Sequence, residues 1–345
     1  VSGMTAGNRI YDGTTDVTIN TDSVIFVGMI GGDTLTVSAS GNFTNKHVGV
    51  NKTVNITATY GGEDADNYSV TGQTTASANI TKANLTISTS NVVKTYDGTT
   101  DAAGTAVASG GTQVFEGDSL SGGTFAFTDK NAGSGNKTVT VSGVTVNDGN
   151  GGGNYTVSYD DNTTSTINRR PLSLTGSRTY DGTANIAADI LTPGNLVGSE
   201  TVVLFDAGTK AAMADKHVGS GKTLASFGDL TLGDGTNGGL ASNYTLTGGT
   251  QSIAINKANL TVSTTNVTKT YDGNTTASGT ATATGGTTLY AGDTFTGGTF
   301  AFADKNAGSG NKTVTVSGVT VNDDNTGGNY TVSYADNTTS TINPK

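Results

Sequence analysis

The chain has 345 residues, of which 51 are Gly, 3 are Pro and none is Cys or Trp; 33% are apolar and only 13% charged. A formal net charge of −10 argues against nucleic acid or an anionic membrane surface as a partner, and the lack of Cys excludes disulfides, a thiolate nucleophile and a Cys-built zinc site. No apolar run approaches the roughly 18 residues of a membrane span, so no membrane insertion is expected. Nothing at the start reads as a secretory leader, and the pattern is already under way at Val1.

In chain order, the first landmark is Tyr-Asp-Gly at Tyr11. It returns at Tyr96, Tyr180 and Tyr271, at spacings of 85, 84 and 91 residues. Each copy is followed 34–36 residues later by Lys-x-x-Gly, opening at Lys46, Lys130, Lys216 and Lys305. A Lys-Thr pair comes next (Lys52, Lys137, Lys222, Lys312), then an Asn-Tyr pair (Asn67, Asn154, Asn243, Asn329), and an Ile closes each unit (Ile80, Ile167, Ile255, Ile342). Landmarks in fixed order, four times over, define a tandem array. Its modules are 1–81, 82–168, 169–256 and 257–345, the first entering mid-pattern. Modules 2 and 4 align without a gap over Ala83–Asn168 and Ala258–Asn343, with 67 of 86 positions identical. Between them Val114/Leu289 and Leu120/Phe295 exchange apolar for apolar, as core positions do. Asp101/Thr276 and Glu116/Ala291 lose charge freely, as exposed positions do.

Within a module the period is two. Ala83–Ser88 (ANLTIS), Thr124–Thr128 (TFAFT), Thr138–Val146 (TVTVSGVTV) and Asn154–Tyr159 (NYTVSY) alternate apolar and polar residues as half-buried strands do. The Ser-Gly inside the third predicts a bulge or bend, and the Gly-rich stretches at 133–136 and 147–154 predict turns. Only 207–214 leans toward helix. Six or seven short strands in about 85 residues predict an all-β fold of small antiparallel modules, sandwich or β-grasp-like.

The joints carry a parity switch. Ile80 is even and the next apolar residues, Leu85 and Ile87, are odd; Ile253 and Ile255 give way to Leu260 and Val262. An extended chain whose buried parity flips has handed its side chains to the next module's core. With no Gly/Ser or Pro-rich spacer, the array is expected to be an elongated, semi-rigid rod. A flexible insert between Asn256 and Lys257 is expected to free the angle between modules 3 and 4.

The candidate chemistry reduces to turns. Asp-Gly supplies the positive φ angles of a tight turn, with the preceding Tyr anchored on the core. Gly219–Thr223 ends like a phosphate-binding loop, but Lys216 stands where the first Gly is required and a strand pattern follows. His47 and His217 are replaced by Asn131 and Asn306 in the other modules, which suits a turn better than a base or metal ligand. The acidic loops at 62–67, 147–154, 233–243 and 322–329 lack the closing Glu of an EF-hand and read as solvated turns, with weak calcium binding the alternative. A Lys–Asn isopeptide bond would want a nearby acid, and Glu occurs only at 63, 116 and 200. Asn-x-Thr/Ser triplets such as those at Asn55 and Asn84 are acceptors for glycosylation wherever that chemistry operates. No recurring set joins an acid, a base and a nucleophile, so no enzyme, no catalytic residue, no metal ligand and no cofactor is expected.

Tyr-Asp-Gly-Thr-Thr with the later Lys-Asn-Ala-Gly and Asn-Tyr-Thr-Val resembles the YDG-type repeat of large bacterial surface adhesins, among them filamentous-haemagglutinin-like proteins exported by two-partner secretion. The resemblance covers nearly the whole chain. It implies a secreted, extracellular, cell-surface stalk of monomeric β modules, taking part in cell adhesion and biofilm and holding an adhesive tip away from the bacterium. The partners implied are neighbouring repeats of the same polypeptide. The alternative is a multivalent carbohydrate- or matrix-binding module, presenting exposed Tyr and Asn/Asp rims to extracellular polysaccharide or a host surface.

Overall fold

The computed structural model describes residues 1–345 and contains no α-helix. Single 3₁₀ turns at Ala65–Asn67, Ala188–Ile190 and Ala241–Asn243 are the helical segments, and strands and turns make up the rest. The 207–214 segment is a bend followed by the strand Ala211–Met213. Gly208 interrupts any helix there, and Ala211 and Met213 alternate inward at period two, both fully buried.

The chain forms two compact units, Val1–Asn168 and Arg169–Lys345, each holding two modules. Module 2 shows the common plan. One sheet places Ala83–Thr89 between Ala106–Ser109 and Tyr155–Tyr159. The other runs Ser119–Phe127, Gly133–Asn147, Asn162–Asn168, Val93–Thr95. Module 4 repeats both sheets with the same registers. Most pairs are antiparallel, as expected, but Tyr155–Tyr159 lies parallel to Ala83–Thr89 and Asn162–Asn168 parallel to Val93–Thr95. The sheets are therefore mixed. The opening strands of a module cannot reach its closing strands by a hairpin; they meet them side by side after the intervening hairpins have turned the chain around.

The long strand Gly133–Asn147 carries the anticipated bend. Val139 and Val141 are buried at odd positions, Val144 and Val146 at even ones. Gly143 at φ +65° lies between the two pairs, and Gly123 at φ +103° lies on the neighbouring strand between the partners of Ser142 and Val144. The left-handed step returns the strand to the same face after its parity changes.

The parity switch at the joints is also real. Thr75–Thr81 belongs to the five-stranded sheet of module 1 and Ala83–Thr89 to a sheet of module 2, with Lys82 alone between them. In the second unit Gln251–Asn256 hands over to Ala258–Thr264 across Lys257. Each unit has one apolar cluster that runs through its joint. That of the first unit takes in Tyr11, Val54 and Ile80 from module 1 and Leu85, Val141 and Tyr155 from module 2. That of the second joins Tyr180, Ile186 and Ile253 to Leu260, Val316 and Tyr330. Module 4 has a further core of Val267, Phe302, Val314 and Ile342.

Candidate functional site at the joint between modules

The Tyr-Asp-Gly loop is braced by its own module. The residue two before each Tyr is a cation, and Arg9, Lys94, Arg178 and Lys269 each meet the loop Asp (Asp12, Asp97, Asp181, Asp272) at 2.8 Å. The same cations reach loop carbonyls: Lys94 Nζ donates to Thr99 O at 2.9 Å and Lys269 Nζ to Asn274 O at 2.8 Å. The Asp carboxylates also accept backbone N–H bonds two residues on, from Thr14, Thr99 and Thr183, each at 2.9 Å. Left-handed backbone occurs only at the Gly, with φ between +78° and +85° at Gly13, Gly98, Gly182 and Gly273. The expected turn with positive φ at both Asp and Gly is therefore not formed; an Asx turn with one left-handed Gly takes its place.

So held, the loop presents its Tyr to the next module rather than to its own core. In the first unit Tyr11 is fully buried, and its hydroxyl donates to Asp118 Oδ2 at 2.8 Å. Tyr155 of module 2 donates to the same oxygen at 2.7 Å, and Lys46 of module 1 donates to Oδ1 at 2.9 Å. The Asp118 side chain is wholly inaccessible. Tyr11 stands edge-on to Tyr155 and Phe115, with centroids 5.3 and 5.8 Å away, the edge-to-face arrangement that aromatic quadrupoles favour. The Tyr155 hydroxyl in turn accepts from the Phe115 N–H at 3.0 Å.

The second unit repeats the arrangement 175 residues later with one aromatic exchanged. Tyr180 donates to Asp293 Oδ2 at 3.0 Å, Tyr330 to the same atom at 2.7 Å, and Lys216 to Oδ1 at 3.3 Å. Tyr290 replaces Phe115, its centroid 5.7 Å from that of Tyr180. Glu200 of module 3 plays the carboxylate's part toward Tyr244 of the same module, at 2.6 Å.

The other landmarks converge on the same place. Asn154 Oδ1 accepts from Val48 N at 3.0 Å, and its amide lies 3.3 Å from His47 Nδ1; Asn329 does the same to Val218 and His217. The two histidines are thus joint residues, not isolated turn residues. The loop Gly has a second duty here, since a Cβ on Gly13 or Gly182 would come within 3.0 Å of Phe115 Cβ or 2.9 Å of Tyr290 Cβ. The acidic loop behind each joint is closed by a buried carboxylate. Asp148 accepts N–H bonds from Asn150, Gly152 and Asn154, and Asp323 from Asn325, Gly327 and Asn329. These oxygens are turned to donors rather than to solvent, which weakens the calcium reading of the 147–154 and 322–329 loops.

Electrostatics follow the geometry. Burial first, then the bond to Asp118, raises the Tyr11 hydroxyl above its usual value, and Tyr180 is raised in the same way by burial and Asp293. Asp118 and then Tyr11 raise Lys46. For Lys216 desolvation works downward, but Asp293 outweighs it and the net direction is up. At neutral pH the cluster is two neutral phenols and an ammonium around one carboxylate. Each polar group is engaged, so the chemistry available is mutual recognition of surfaces.

The remaining motifs are structural. Gly219–Lys222 is a strand, and Lys222 is bound by Asp215 at 2.6 Å. Lys52 donates to Asn45 Oδ1 at 2.6 Å, a hydrogen bond on an exposed Asn; the equivalent partners in the other modules are the acids Asp129, Asp215 and Asp304. The residues that the sequence reading missed are the acceptors. A Gly-Asp pair falls 22 residues after the Tyr in modules 1, 2 and 4 (Asp33, Asp118, Asp293), and Glu200 falls 20 residues after Tyr180. That repeated carboxylate, and the cation two before each Tyr, were legible signals.

A family model described as the YDG domain matches residues 1–77, 81–166, 163–253 and 256–339. No curated protein matches the chain.

Proposed function

The chain belongs to the YDG-domain family, and on that premise we propose that it is a non-catalytic structural spacer, a stalk segment of a bacterial surface adhesin exported to the cell exterior. The observation that carries this reading is the clamp at Tyr11–Asp118–Lys46 and again at Tyr180–Asp293–Lys216. The motif that names the repeat is used to couple one module to the next. A carboxylate with three donors, set beside a shared apolar core, fixes the angle between modules more firmly than a bare strand connection would. That is what a load-transmitting spacer requires. Multivalent glycan binding through the repeated Tyr loses its support, because Tyr11, Tyr96 and Tyr180 are fully buried.

Spin labels on modules 1 and 2 of the full chain test the proposal. A single narrow interlabel distance is expected, and a broad distribution would refute rigid coupling. A glycan array addresses the other reading: reproducible, saturable binding of one saccharide class would replace the spacer with a binding module.

A further inference from the structure

Each clamp has a donor half and an acceptor half. Within the two units the donor is supplied by modules 1 and 3 and the acceptor by modules 2 and 4. Module 1 also carries an acceptor half. Asp33 accepts from the Tyr68 hydroxyl, and that hydroxyl accepts from Ile30 N at 2.9 Å, the pattern of Asp118, Tyr155 and Phe115. Around it Val27, Met29 and Ile30 are 83, 42 and 67% exposed. Asn67 is exposed, whereas its counterparts Asn154, Asn243 and Asn329 are fully buried. Module 4 carries a donor half. Tyr271 is only half-buried, Lys305 is exposed, and neither the Tyr271 hydroxyl nor the Lys305 ammonium has a partner in the fold. Gly273 keeps the left-handed φ of +80°, yet a Cβ there would meet nothing within 4 Å.

We propose that the donor face of module 4 docks on the acceptor face of module 1 of a second copy, so that copies of this chain associate head to tail. The geometry to be reproduced is on the page twice: phenol and ammonium on a carboxylate, with an apolar residue under the loop Gly. The charges are complementary, Lys305 against Asp33, and Tyr271 would cover Ile30 as Tyr11 covers Phe115. An interface between two different patches is heterologous, so repetition extends a filament instead of closing a dimer. This goes beyond the spacer reading and does not depend on it.

The chain has no Cys, which permits a clean trap. The Cβ separations of 3.0 Å for Gly13–Phe115 and 2.9 Å for Gly182–Tyr290 place the equivalent pair, Gly273 and Ile30, near the reach of a disulfide, whose Cβ atoms lie about 3.5–4.5 Å apart. Full-length Ile30→Cys and Gly273→Cys chains are mixed at about 0.5 mM under mild oxidation, a concentration suited to a weak contact. The expected product is a one-to-one cross-linked dimer, in yield well above the homodimers of either chain alone. Adding Asp33→Ala to the Ile30→Cys chain is expected to cut that yield about ten-fold, the loss of one charge-assisted bond. Its melting temperature, measured alongside, checks that module 1 remains folded. No mixed cross-link, a yield matched by either chain alone, or a yield indifferent to Asp33→Ala in a folded chain would each overturn the proposal. The spacer reading is decided separately, by the labels inside the first unit.

Discussion

Asp293→Asn is the sharpest perturbation of the clamp. The change keeps the volume but replaces a carboxylate that accepts from Tyr180, Tyr330 and Lys216 with a group having one acceptor oxygen and two donor hydrogens. Bonds to a charged group contribute about 1.5–3 kcal/mol each, and removing one partner of a buried ion pair costs about 3–5 kcal/mol. The Lys216 side chain is 22% exposed and recovers part of its loss in water, and the phenols can rotate toward the remaining oxygen. We therefore expect docking of modules 3 and 4 to weaken by about 2–4 kcal/mol, roughly a 30- to 700-fold rise in the opening equilibrium. Amide hydrogen exchange on the full chain reads this directly. The Val218 amide is held across the joint by Asn329 Oδ1, and the Val48 amide is its counterpart at the other joint, held by Asn154 Oδ1. Val218 should lose protection by that factor while Val48 keeps its own. Unchanged protection at Val218 would show that the carboxylate does not hold the joint. Equal loss at both amides would show a general destabilisation instead.

The loop glycines separate backbone strain from contact. Gly273→Ala, with φ +80° and open space, should cost about 1 kcal/mol, whereas Gly182→Ala, facing Tyr290 Cβ, should cost at least about 1–2 kcal/mol more; equal costs in thermal melts would refute the close approach. Alkaline pH should loosen the joints. Tyr11 and Tyr180 titrate above the ordinary value of 10.0 when folded, and Tyr244 is pushed up to about 12. From pH 10 upward the unfolded chain gives up phenolic protons that the folded chain retains, so stability present below pH 10 falls as pH rises toward the folded values. Urea midpoints between pH 8 and 11.5 should show this decline, and Tyr180→Phe should make it shallower; an unaltered slope would count against the assignment. Ten Gly-Ser residues inserted between Asn256 and Lys257 should leave the spin-label distance between modules 3 and 4 narrow, because the clamp re-docks across a coil spanning about 17 Å; broadening should require Asp293→Asn as well. Excess calcium should move the melting midpoint by less than about 2 °C, since Asp148 and Asp323 already spend their oxygens on backbone donors; a large shift reversed by chelator would restore the metal reading.

What the sequence determined by itself was whatever depends on neighbours along the chain. Period-two alternation made the modules all-β, the repeated landmarks set their number, and the move from Ile80 to Leu85 located the hand-over, because side-chain direction in an extended chain is fixed by parity. The one-residue joints at Lys82 and Lys257 follow from that alone. What only the tertiary structure decided was the purpose of the landmarks. Tyr11 and Asp118 are 107 residues apart, and nothing in local spacing says that a phenol in one module completes a carboxylate in the next. The same limit hid the parallel pairing of Ala83–Thr89 with Tyr155–Tyr159, which arises from two sheets closing over a core. It also hid the single left-handed residue of the Tyr-Asp-Gly loop, which is imposed by Lys94 and Asp97 reaching back to bind the turn. Local chemistry wrote the modules, and long-range packing turned their most repeated motif into the contact that joins them.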